Sequence, residues 1–146
     1  MSRMGKLGNL VVVAALGGAA AIWLSYGKTA TSSRMEPEGN LQSTLDRAAA
    51  ENKLVMVDFY TDWCGWCKKF DRQTLTDSRV QQSLSRVLTI RLNAEQEGRG
   101  AANTYQVSGY PTIVFLDKHG KVIGRIDGFM EPDPFLAELS DILKRV

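Results

Sequence analysis

The run Leu54-Val55-Met56-Val57-Asp58-Phe59-Tyr60 restricts the possible folds more than any other part of this sequence. It has the length of a strand, and its alternate positions are apolar on both faces. It reads as a strand buried on both faces, as in a parallel sheet covered by helices. Val87 to Leu92 and Thr112 to Leu116 are two further apolar runs of strand length, and Val122 to Ile126 is a fourth. Lys118-His119-Gly120-Lys121 between the last two reads as a hairpin turn. Helical spacing is expected from Leu41 to Asn52, from the segment after Cys64, and from Gly98 to Tyr105. Asp77 or Ser78 is suited to cap a short helix that ends at Leu84. Pro132 and Pro134 open a last helix, in which Phe135, Leu136, Leu139, Ile142 and Leu143 form one apolar stripe. Alternating elements followed by a hairpin predict an α/β fold with a central mixed β-sheet flanked by helices.

The two cysteines, Cys64 and Cys67, are separated by Gly65-Trp66 and follow directly on that first strand. A disulfide framework needs cysteines spread along the chain. A structural zinc site needs about four ligands, against two thiols and His119 here, so no metal site is expected. The pair therefore points to redox chemistry. A sulfur at a helix N-terminus is favoured as thiolate by the free amides and the macrodipole. One turn further on, Cys67 is placed to attack a mixed disulfide formed at Cys64. Trp63 and Trp66 flank the sulfurs. An inert structural bridge is the competing reading, but so small a loop constrains the unfolded chain little.

Asp58 is the one charge in its strand, six residues before Cys64. Buried, it must be hydrogen-bonded or largely protonated, with a raised pKa, and it can then exchange a proton with Cys67. Turned to an outer edge, it is a solvated carboxylate.

The first 35 residues carry Arg3, Lys6, Lys28 and Arg34 and no acid, whereas the whole chain is only +2. The remainder is thus slightly acidic, which gives no electrostatic reason to expect nucleic acid as a partner. No charge occurs from Leu7 to Gly27, and Leu10 to Leu24 is almost wholly apolar. Such a run can span a bilayer as a transmembrane helix, and the bases before it favour a cytoplasmic N-terminus. A cleaved signal peptide is the alternative, with Ala19-Ala20-Ala21 as a small-residue site. Ile22-Trp23-Leu24 continues the apolar run and argues against that cut. Either way the remainder is exported. Residues 1–27 are expected to be the anchor or signal, 28–39 a flexible linker, and 40–146 the folded domain.

The block from Val57 to Lys68, with its buried acid, its Trp before the first cysteine and its CGxC, resembles the active-site block of the thioredoxin superfamily. Gly109-Tyr110-Pro111-Thr112 resembles the cis-proline loop of that superfamily. Lys68-Lys69-Phe70-Asp71, Thr74-Leu75-Thr76-Asp77 and Gly128-Phe129-Met130 extend the resemblance to the C-terminal thioredoxin-like domain of the DsbD thiol:disulfide interchange reductases, over roughly residues 40–146. The resemblance implies a cis Pro111 beside the disulfide and a Tyr110 backbone that binds an extended substrate. It also implies a second acid, Asp71, that tunes the thiols from the Cys67 face of the helix. Arg91 stands where thioredoxins often carry a lysine near the buried acid. The bland readings are a trans turn proline, a solvated helix acid and a solvent-facing arginine.

No cofactor beyond the Cys64–Cys67 disulfide is implied. The expected activity is that of a monomeric, periplasm-facing protein-disulfide reductase of the bacterial inner membrane. Its expected partners are disulfide-containing extracytoplasmic proteins, apocytochrome c among them, and a membrane electron-donor thiol reductase. An oxidase or isomerase on the same fold is an alternative, although the pair lacks the histidine usual in strong oxidases. A module holding Cu(I) on two thiolates is another.

Overall fold

The computed structural model describes residues 40–145, so the expected anchor and linker lie outside the described residues. Among the described residues no helix is long and apolar enough to cross a membrane. The elements run α1 (Leu41–Glu51), β1 (Leu54–Tyr60), α2 (Gly65–Gln73), α3 (Ser78–Leu84), β2 (Val87–Asn93), α4 (Arg99–Thr104), β3 (Thr112–Leu116), β4 (Val122–Asp127) and α5 (Pro132–Leu143). The expected order is met, with α4 shorter at both ends than its spacing suggested.

The four strands lie in the order β2-β1-β3-β4. β1 pairs parallel with β2, from Leu54 opposite Val87 to Tyr60 opposite Asn93. β3 is antiparallel to both β1 and β4. Strand alternation divides the core cleanly. Met56, Ile113 and Phe115 face Phe70, Val80, Leu84, Phe135, Leu139 and Ile142, which are carried by α2, α3 and α5. Val55, Val57, Phe59, Ile90 and Val114 face the opposite way, towards Ala48 of α1 and Ala102 of α4. β1 and β3 are therefore covered on both faces, as their mostly apolar sequences require.

Local chemistry closes the elements. The Asn40 side chain caps α1 by accepting from the Gln42 N–H at 2.8 Å, and Asn52 ends it in the left-handed region at φ 51°. The Asp77 carboxylate caps α3. In the hairpin turn, Asp117 Oδ1 accepts from the backbone N–H groups of His119 and Lys121, and Gly120 takes φ +81°. Gly98 is required by space, because a Cβ there would lie 2.7 Å from Leu92 Cβ and 2.8 Å from the Asn93 carbonyl oxygen.

This topology collects four loops at one edge of the sheet. The segments after β1, after β2 and after β4 and the segment before β3 all emerge there, beside the row Asn93, Tyr60, Thr112 and Asp127. His119 lies at the opposite end of β3, in the turn.

Candidate active site

Cys64 occupies the N-cap of α2 in extended conformation, and Cys67 lies in its first turn. The two are joined as a disulfide with their Cα atoms 5.3 Å apart. The Cys67 backbone N–H donates to Cys64 Sγ at 3.0 Å. That sulfur thus takes the place of the oxygen that usually caps a helix, and it meets one of the helix's free amides. Both cysteines are nearly covered, at 3% and 2% exposure, whereas the indoles beside them are 66% and 59% exposed for Trp63 and Trp66.

Each indole has its own support. Trp63 Nε1–H donates to both carboxylate oxygens of Glu95 at 3.1 Å, and its ring meets Tyr110 edge-on with centroids 5.9 Å apart. Asp62, next to it, accepts from Gln96 Nε2 at 2.8 Å. The turn after β2 thereby braces the segment before the cysteines. Trp66 lies against Phe129, centroids 5.6 Å apart, and the Lys69 ammonium sits over both rings at 5.2 and 4.2 Å. Phe129 is held in turn through Thr74, whose hydroxyl donates to the Met130 carbonyl at 2.6 Å.

The Tyr110–Pro111 peptide bond is cis, and Pro111 is buried. Its carbonyl accepts from the Gly128 N–H at 2.8 Å, which ties the cis loop to the end of β4.

Behind the disulfide lies a charged cluster. Asp58 points into the face covered by α2, α3 and α5 and is 1% exposed. Arg91, its register partner on β2, donates from Nε to Asp58 Oδ2 at 3.0 Å and from Nη2 to Asp71 Oδ2 at 3.1 Å. The guanidinium also lies over the Tyr60 ring, 4.3 Å from its centroid. Burial pushes the Asp58 carboxyl up to about 6, with Arg91 opposing the rise and Asp71 adding to it. Burial also raises Asp71, against the pull of Arg91 and Arg72. Asp58 Oδ1, Asp71 Oδ1 and the Thr61 hydroxyl are buried without a hydrogen-bond partner.

The residues singled out from the sequence are therefore gathered at one end of the domain: Cys64, Cys67, Trp63, Trp66, Tyr110 and Pro111 in front, and Asp58, Asp71 and Arg91 in one cluster behind. Sequence reasoning missed Glu95, Lys69, Phe129 and Thr74 as supports. Phe129, Lys69 and Thr74 fall within motifs that carry the resemblance. Glu95 has no such signal, because it reaches Trp63 across 32 residues. Among the described residues no group of three or more His, Cys, Asp or Glu side chains could hold a metal ion.

A redox-active disulfide at the mouth of a helix, with a cis-proline loop joined to its flank through Trp63 and Tyr110 on a mixed four-stranded sheet, defines a thiol–disulfide oxidoreductase domain. The chain belongs to the thioredoxin-like domain family, which matches residues 41–143. It is 33% identical over 129 residues to the thiol:disulfide interchange protein DsbD of Haemophilus influenzae strain PittEE, a match covering 77% of this chain and 22% of that protein. It is 39% identical over 109 residues to DsbD of Salmonella typhi, covering 68% of this chain and 19% of the relative. The chain thus spans about a fifth of the length of these relatives. Among solved structures, a thioredoxin from Thermus thermophilus superimposes with a TM-score of 0.67 at 29% identity, covering 75% of this chain and 87% of that one. The C-terminal domain of Neisseria meningitidis DsbD, in its reduced form, gives 0.59 at 28% identity, covering 69% and 92%.

Proposed function

We propose that this protein is an extracytoplasmic protein-disulfide reductant held at the bacterial inner membrane by residues 1–27, with 28–39 as linker. Cys64 thiolate attacks a substrate disulfide, forms a mixed disulfide, and releases the first substrate thiolate. Asp58 takes the proton of Cys67. The Cys67 thiolate then attacks Cys64 Sγ, expels the second substrate thiolate and leaves the Cys64–Cys67 disulfide. Two electrons pass to the substrate, and a membrane thiol reductase restores them. Tyr110 and Pro111 line the path of the substrate backbone, while Trp63 and Trp66 form its walls.

One observation carries this reading: the Cys67 N–H directed at Cys64 Sγ from the first turn of α2, at 3.0 Å. The same donor stabilises a Cys64 thiolate once the pair is reduced. The relatives support it too, being interchange proteins by name, and the Neisseria domain is known in both reduced and oxidised forms. The reducing direction follows from the Gly65-Trp66 dipeptide, which supplies no cation to the thiolate and so favours a potential near that of thioredoxin, about −270 mV.

The test is a Cys67→Ala variant expressed as the full chain. It is expected to accumulate mixed disulfides through Cys64 with exported proteins, and alkaline extraction should leave the chain in the membrane. An exported variant that traps nothing overturns the catalytic reading. A redox titration of the wild type near −120 mV overturns the direction.

A further inference from the structure

The edge of a guanidinium formed by Nε and one Nη ordinarily grips both oxygens of a single carboxylate. In Arg91 that edge is divided between two acids, with Nε on Asp58 Oδ2 at 3.0 Å and Nη2 on Asp71 Oδ2 at 3.1 Å. The Tyr60 ring holds the plane of the guanidinium from one face. Each carboxylate keeps its other oxygen, Oδ1, buried and without a hydrogen-bond partner. With both acids ionised, this partly enclosed cluster carries two negative charges against one positive. Repulsion between the acids and the cost of burial therefore raise the affinity of the ionised cluster for one proton. That proton belongs on an Oδ1 atom, since each Oδ2 must offer a lone pair to an Arg91 N–H. The two acids differ in access: the Asp58 side chain is 1% exposed and that of Asp71 31%.

We propose that Arg91 is a positioning residue that joins Asp58 and Asp71 into one proton-holding unit, with Asp58 as the inner acid and Asp71 as the acid through which the proton reaches solvent. This rests on the disulfide-exchange reading above and adds the route of its proton. In the resolving step the Cys67 S–H bond breaks and an O–H bond forms on Asp58. The electron pair left on Cys67 makes the bond to Cys64 Sγ, and the pair of the broken mixed disulfide leaves on the substrate sulfur. The proton then exchanges to Asp71, which releases it. The groups acting on the unit are Tyr60 from β1, Arg72 from α2 and Arg91 from β2, while the uncharged Ile113 of β3 stands opposite Asp58 in register.

The two flanking substitutions have opposite effects. Arg91→Gln removes the cation, so both acids keep their protons to higher pH. Asp71→Asn removes the rival acid and leaves the guanidinium to Asp58 alone, so Asp58 ionises at lower pH. The experiment measures the rate of Cys67 attack against pH in the full-length reduced protein, by release of a chromogenic aryl disulfide's second thiolate. It is combined with carboxyl carbon-13 NMR titration of the aspartates. Arg91→Gln is expected to move the rising limb up by about one pH unit, which slows resolution about twofold at pH 7 and on the order of tenfold near pH 5. Asp71→Asn is expected to move the limb down. Arg91→Lys keeps the charge but lacks the fork, and should fall between wild type and Arg91→Gln. That variant serves where Arg91→Gln does not fold. Limbs and carboxyl titrations that superpose on wild type in Asp71→Asn and Arg91→Lys overturn the proposal. A wild type that reduces no disulfide overturns the proposed function instead, and the carboxyl titrations still judge the unit.

Discussion

Asp58 illustrates how one residue connects burial to chemistry. Its burial raises the carboxyl to about 6, close to working pH, so that it can both take and return a proton. Asp58→Asn is expected to slow resolution by Cys67 on the order of tenfold at pH 7 while leaving the first attack by Cys64 unchanged. Stopped-flow tryptophan fluorescence separates the two steps, and an equal loss in both would show that the carboxyl acts elsewhere. That an acid lay in an apolar strand was plain from the sequence. Its pairing with Arg91 was suggested only by the resemblance, with a solvent-facing arginine as the alternative, because 33 residues separate them and the parallel register of β1 and β2 is what sets them side by side. Glu95 beneath Trp63 was not suggested at all: an exposed acid in a turn has no local mark of its partner.

At the scale of elements, the site depends on how α2 and the turn after β2 are held. Thr74, buried at the end of α2, anchors the loop that carries Phe129. Thr74→Val keeps the shape but leaves the Met130 carbonyl without its donor, and should cost about 1–3 kcal/mol in urea denaturation. Gly98 closes the turn that carries Glu95 and Gln96. Its missing Cβ would meet the Leu92 Cβ and the Asn93 backbone, neither of which can swing aside. Gly98→Ala is therefore expected to destabilise by about 1–3 kcal/mol and to weaken the quenching of Trp63 by its neighbours. Unchanged stability would mean that the turn relaxes freely. The sequence marked α2 as the segment after the cysteines, but it did not mark the turn after β2. Nor did it reveal which loops share an edge, because that depends on strand order.

For the molecule as a whole, the buried acids set the dependence of stability on pH. An unfolded Asp titrates near 3.9, whereas folded Asp58 titrates near 6. The native state therefore holds a proton between about pH 4 and 6 that the unfolded chain has lost. Stability from this group is fully present below pH 4 and is lost as pH rises through 6, a decline on the order of 3 kcal/mol. Asp71 adds in the same sense. Asp77, lowered to about 2 chiefly by its side-chain hydrogen bond to Arg79, acts oppositely below pH 4. Denaturation of the oxidised protein should thus show greatest stability near pH 4–5, and Asp58→Asn should flatten the decline above it. Stability rising steadily from pH 4 to 7 in the wild type would refute this. The amino-acid sequence by itself determined the order of elements, the doubly covered strands and the placement of Cys64 at a helix mouth, since each follows from local periodicity and capping. The tertiary structure alone decided the division of Arg91 between two acids, the support of each indole and the meeting of four loops at one sheet edge. Those contacts join residues far apart in the chain, and no local propensity encodes a partner across such a distance.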